Sequence, residues 1–215
     1  MFFEPPPKPP PEPEPERRAQ PPWRGRPRGV LLAGVPLELV LVREPKLAVA
    51  LSRLSACPDG FEALLTVLAA DDLEEEIDSG LFGSPGRRRG QRVDPVQALR
   101  FGVQYADGSK AELGRRWEAR EEPPKGPVIQ MNGGQGGDGE WQQRLWFWPL
   151  PPPGQITFAL EWRAQGIELR LHGVDGAPIH EAAGRAQTLM PAQEMPDTPG
   201  YTSHTMRPRP GDGGE

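Results

Sequence analysis

Apolar and polar side chains alternate with a period of two in five stretches of the chain. Leu37, Leu39 and Leu41 are interleaved with Glu38, Val40 and Val42. Leu99, Phe101, Val103 and Tyr105 are interleaved with Ala98, Arg100, Gly102 and Gln104. Leu145 and Phe147 fall between Arg144, Trp146 and Trp148, and Ile156, Phe158, Leu160 and Trp162 between Thr157, Ala159 and Glu161. Ile167, Leu169 and Leu171 alternate with Glu168 and Arg170. Successive side chains of a strand point to opposite faces, so each pattern predicts a strand with one face to bury. Ala106-Asp107-Gly108-Ser109 supplies a hairpin turn after Tyr105.

The stretch Leu47–Leu68 obeys two periods at once. Phe61, Leu64, Leu65 and Leu68 have helical spacing, while Phe61, Ala63, Leu65 and Val67 share a strand face. Cys57-Pro58-Asp59-Gly60 is a turn in either case, so a helix pair and a strand pair are balanced locally. Beyond Asp175-Gly176, Pro178 suits a first helical turn. Ile179, Ala182, Ala183, Ala186 and Leu189 then predict a short amphipathic helix over 178–190, on a sheet edge or across an open end.

Strand patterns must pack on another layer. They predict an all-β domain over 30–190, an immunoglobulin-like β-sandwich of about seven to nine strands closed by the C-terminal helix. Composition sets its limits. The chain has 215 residues with 29 prolines and 26 glycines, and the prolines crowd the N-terminal end. Residues 1–29 read as a disordered, polyproline-favouring tail and 191–215 as a second disordered tail. Pro5–Pro11 fits a Pro-x-x-Pro ligand, a match that any proline-dense spacer makes. Residues 70–95 and the glycine run 132–139 read as long loops.

The segments Trp141–Gly154 and Ile156–Trp162, with Pro58–Phe61 and Phe101–Gly108, resemble an uncharacterised family of actinobacterial hypothetical proteins. The resemblance covers roughly 30–190. It implies that Leu47–Leu68 is a strand pair, and it brings no activity, cofactor or site residue.

Charge and cysteine content narrow the function classes. A net charge of −5 argues against nucleic acid, whose counterions are displaced by a basic surface. The basic run Arg87, Arg88, Arg89 and Arg92 follows an acidic run from Asp71 to Asp78, and the two offset each other. One cysteine, Cys57, excludes an internal disulfide and a cysteine-built zinc cage, and it reads as a small apolar residue at a strand end. Met1–Pro15 carries proline and glutamate where a signal peptide needs a basic end and an apolar run, and no window is long and apolar enough for a membrane span. A cytoplasmic protein is the expectation.

Candidate chemistry is sparse. The glycine run 132–139 ends in Asp138-Gly139-Glu140, whose acids would repel a phosphate, and it leads into a strand pattern. His172 and His180, with Asp175 and Glu181 nearby, lack the compact spacing of a zinc site and read as surface histidines. Glu161 is a single acid, where glycoside hydrolysis needs a pair. The tryptophans are the distinctive feature. With Leu145 and Phe147 facing a core, Trp146 and Trp148 share the other face with Arg144, an arrangement suited to a protein or sugar ligand. The competing and heavier expectation is that a helix, a loop or the proline tail covers them.

The reading that results is a non-catalytic cytosolic binding or scaffold module with Arg144, Trp146 and Trp148 as the candidate face, a protein as partner and no cofactor. The alternatives are a carbohydrate-binding or carbohydrate-active domain and a metal-dependent enzyme around His172 and His180.

Overall fold

A computed structural model describes residues 17–73, 77, 81, 97–114, 123–191 and 194–196. Two compact units result, Gln20–Gln193 and a smaller one drawn from both chain ends. In the smaller unit β1 (Arg17–Ala19) pairs antiparallel with β14 (Glu194–Pro196), Arg17 opposite Pro196. The proline run Pro5–Pro11 and the remainder of both tails lie outside the described residues.

In the larger unit, β2 (Val30–Leu31) and β3 (Ala33–Gly34) lead into β4 (Leu39–Glu44), β5 (Leu47–Cys57) and β6 (Gly60–Ala69). The strand pair at 47–68 is therefore present, turned at Pro58-Asp59. Next come β7 (Arg100–Gln104), β8 (Lys110–Glu112), β9 (Val128–Gly137), β10 (Glu140–Trp148), β11 (Gln155–Trp162) and β12 (Ile167–Asp175). Helix α1 (Ala177–Arg185) and β13 (Gln187–Thr188) complete it. One sheet runs β3-β5-β6-β10-β9, with β4 also on β5; the other runs β12-β11-β7-β8. Every pairing is antiparallel.

The two sheets meet through an aromatic cluster. Phe147 of β10 stacks on Phe61 of β6 at 4.3 Å between ring centroids. Its edge contacts reach Phe101 of β7 at 6.4 Å and Phe158 of β11 at 6.1 Å. Such offset and edge-to-face pairs add to the burial energy of each ring. Leu145, Ile156, Leu160 and Trp162 fill the same layer, all at most 1% exposed. The fold of the described residues is thus mostly β and sandwich-like, with the short helix α1 packed on it.

Bulges change which side chains face inward. Arg53 takes φ 51° where the β5–β6 register slips. The slip puts Leu47, Val49 and Leu51 on the core side before it, and Leu54 and Ala56 on the same side after it. A second irregularity lies between β11 and β12, where Leu160 is opposite Arg170 but Trp162 is opposite Ile167. It breaks the alternation expected for β12. Ile167 is buried, whereas Leu169 and Leu171 are 60% and 63% exposed. Arg170 and His172 lie opposite the core residues Leu160 and Phe158 instead. At this edge Arg170 Nη2 reaches Glu44 Oε1 of the other sheet at 2.6 Å.

The helix is shorter than its periodicity predicts. Ile179, Ala182 and Ala183 are buried against the core, and α1 packs on β5 and β3. Ala186 leaves the helix with ψ 146°. Gln187 and Thr188 then pair with Leu31 and Val30, and the Leu189 and Met190 amides donate to Gly29 O. Pairing with β2 replaces a last helical turn and leaves Leu189 62% exposed.

The glycine run is not a loop. β9 continues through it to Gly137, and Asp138 and Gly139, with φ 54° and 75°, make a two-residue hairpin turn. Positive φ at both positions is what a type I′ turn demands, and Asp-Gly meets it at low cost. Gly136 lies opposite Trp141, and a Cβ on it would sit 2.2 Å from the indole Cδ1. The ring covers the strand that the glycines leave bare. Of residues 74–96, Ile77 and Leu81 are described, and both are buried in the core. The Arg87–Arg92 run and most of the acidic run lie outside the described residues.

Candidate binding faces

Leu145 and Phe147 face the core as the alternation demands, so Trp146 and Trp148 point from the outer face of the six-stranded sheet. That face is not open at this end. Pro22–Arg24 forms a 3₁₀ turn, and the strap Gln20–Gly29 lies over the tryptophans. Trp146 is 0% exposed and donates its indole Nε1–H to Pro22 O at 2.8 Å. Trp23 packs edge-on against Trp148, 5.8 Å between centroids, and Trp148 is half-buried. Gly60 lets β10 and its Trp146 ring approach closely, since a Cβ there would sit 2.2 Å from Phe147 O and 3.0 Å from the indole. The open Arg144–Trp146–Trp148 face is thus corrected: only Arg144 is exposed. Segment 20–29, expected to be a disordered tail, is the covering element. A buried indole must pair its N–H, and the proline carbonyl answers that need.

The same cover traps an acid that alternation alone does not single out. Glu62 stands opposite Trp146 on β6 and is 8% exposed. Its Oε1 lies 3.7 Å from Arg144 and 3.9 Å from Arg26, while Oε2 is buried with no hydrogen-bond partner. Burial raises the Glu62 pKa above the ordinary carboxylate value, with Arg144 and then Arg26 opposing it. The available signal is its place inside the apolar run Phe61–Leu68. Cys57 ends β5 on this outer side, fully buried, and burial raises its thiol pKa. That suits the small apolar role expected of it.

The outer face of the four-stranded sheet is different. It carries a shallow groove of about 490 Å³ bordered by Leu169 and Leu171 on one side. Small residues, Gly102, Ala159 and Thr157, lie along its floor. On the opposite rim Arg100 bonds Glu161 at 2.8 Å and Glu112 at 3.0 Å, and Glu161 also accepts from Arg163 at 3.0 Å. Hydrogen bonding from Arg163, reinforced by Arg100, lowers the Glu161 pKa. An acid that donates to a glycosidic oxygen needs the reverse shift. Glu161 is an anchor for guanidinium groups.

His172 and His180, read as surface residues, are half-buried, with each Nε2 shielded and lacking a hydrogen-bond partner. Asp175 Oδ1 accepts the Ala177 amide at 3.0 Å. Among the described residues no group of three or more His, Cys, Asp or Glu side chains comes together as a metal site. No described helix is long and apolar enough to cross a membrane. No family model, curated protein or solved structure matches the chain.

Proposed function

We propose that this chain is a non-catalytic binding or scaffold module of the cytoplasm that docks a protein partner on the outer face of its four-stranded sheet. The observation that carries the reading is the pair Leu169 and Leu171, 60% and 63% exposed beside an open groove. Two leucines side by side on a wetted sheet face lower solubility unless something covers them. The groove floor is small-residue surface that a protruding side chain can fill, and the rim of paired Arg and Glu supplies a polar border. A reducing compartment suits the lone, reduced Cys57. In fold type we class the sandwich as immunoglobulin-like in the broad sense of two packed antiparallel sheets. The continuous β4-β5-β6 meander is its own feature. Kinship with the actinobacterial hypothetical proteins belongs to the same proposal.

The test compares affinity capture by the unaltered chain, by the double variant Leu169→Ser/Leu171→Ser, and by Leu68→Ser. Leu68 is 47% exposed on the other sheet and serves as control. One stoichiometric partner should be retained by the unaltered chain and the control and lost by the double variant. Surface substitutions of this kind change stability by about 0.5 kcal/mol or less. Equal recovery by all three proteins would refute the face.

A further inference from the structure

The strap over Trp146 has the chemistry of a bound ligand. Pro21 sits at φ −59°, ψ 141°, the polyproline II region, and hands the chain to Pro22. Pro22 offers its carbonyl to the Trp146 indole N–H, and Trp23 sets its ring edge-on to Trp148. This is how an aromatic-lined groove holds a proline-rich peptide. Here Pro21 is extended and Pro22–Arg24 turns, so the ligand brings a backbone whose φ its prolines fix, one carbonyl that accepts from an indole donor and one ring set against an aromatic neighbour. Arg26, two residues beyond the 3₁₀ turn, points a guanidinium at Glu62 and so fixes a direction for the peptide.

Little holds the strap against the sheet in the manner of a strand. Its backbone bond Arg24 N to Pro21 O is internal to the turn. Its contacts with the sheet described above are side-chain contacts: one indole hydrogen bond, one ring contact and one ion pair between groups 3.9 Å apart. Its far end is tethered, because the Leu189 and Met190 amides bond Gly29 O and β2 pairs with β13. A segment tethered at both ends, through β1 paired with β14 and through β2 paired with β13, but held on the sheet by these few contacts can lift away without breaking the sheet ladder.

We infer that the Trp146–Trp148 end of the six-stranded sheet is a recognition site for proline-rich peptides that turn at a Pro-Trp step, occupied in cis by Pro21–Arg24 and open to a competing peptide in trans. This site is separate from the four-stranded face, and either can fail alone. A tethered ligand acts at an effective concentration of order millimolar. The intact chain therefore binds an added peptide weakly, and a weakened strap unmasks the site.

The probe is a labelled synthetic peptide spanning Gln20–Arg28, read by fluorescence anisotropy against the full-length chain. Trp23→Ala should bind it at least about tenfold more tightly than the unaltered chain, because the cis competitor is weakened. Adding Trp146→Phe keeps an aromatic ring, though a smaller one, removes the donor and should cost roughly two- to tenfold in affinity. A peptide with Pro21 and Pro22 replaced by alanine should also bind several-fold worse, since it must now be ordered. No binding to Trp23→Ala would overturn the inference, as would equal binding of the alanine peptide. Loss of the strand signal in far-UV circular dichroism of Trp23→Ala would overturn it too, by making the strap part of the core. So would sedimentation showing Trp23→Ala as a strap-exchanged dimer that ignores the peptide.

Discussion

Replacing Trp146 by alanine separates a wetted aromatic face from a covered one. The indole is 0% exposed, lies against Gly60 and donates to Pro22 O at 2.8 Å. Removing a buried tryptophan costs about 3–5 kcal/mol, and the indole hydrogen bond is about 1 kcal/mol of such a loss. The strap can settle partly into the vacated space, so the expected loss is about 3–4 kcal/mol. Trp148→Ala is the internal comparison. Its ring is half-buried, and its loss should cost about half as much. Urea unfolding followed by far-UV circular dichroism reads both values, and an unchanged slope on denaturant confirms that stability alone has moved. A solvated tryptophan would change stability by about 0.5 kcal/mol or less. A measured loss below about 1 kcal/mol for Trp146→Ala would therefore refute the covered arrangement and the strap with it.

Glu62→Gln should flatten the pH dependence of stability. Burial raises the folded-state pKa above 4.5, so the protonated form favours folding. That contribution is fully present below the ordinary carboxylate range and is lost as pH rises through the folded value. Against an unpartnered Oε2, costing about 1–3 kcal/mol, stand two arginines on exposed stems worth about 0.2–1 kcal/mol each. Relative to the variant, the unaltered chain should thus lose about 1 kcal/mol between pH 4.5 and neutrality. Parallel stability curves for the two proteins would contradict this. Cys57, fully buried with its thiol pKa raised, should react with a disulfide reagent only after denaturant is added. Stoichiometric labelling of the native chain within seconds would show the strap side of β5 to be open.

The strand pattern was legible from one dimension because the pleat imposes it locally. Phe101, Val103, Phe158 and Leu160 sit where alternation places them. So do Leu145 and Phe147, and the turns at Asp107-Gly108 and Pro58-Asp59 were equally visible. Legibility failed wherever a residue's environment came from a distant part of the chain. Leu169 and Leu171 alternate correctly, yet an irregularity against β11 turns them outward, and nothing within 167–171 encodes that slip. The glycines of β9 look like a loop until Trp141 is placed across from Gly136. Leu189 continues a helical period that ends before it because β2 claims Gln187 and Thr188.

The sequence by itself determined that this chain is mainly β and, for the strands whose pleat alternates, which residues share a face. Those properties follow from backbone sterics and a two-residue repeat, which act between neighbours. Only the tertiary structure decided what covers each face. Trp146 is hidden because Pro22, 124 positions earlier, supplies an acceptor for its N–H. Leu171 is exposed because no element among the described residues crosses the four-stranded sheet there. Burial is a property of two surfaces, and a periodic pattern describes only one of them.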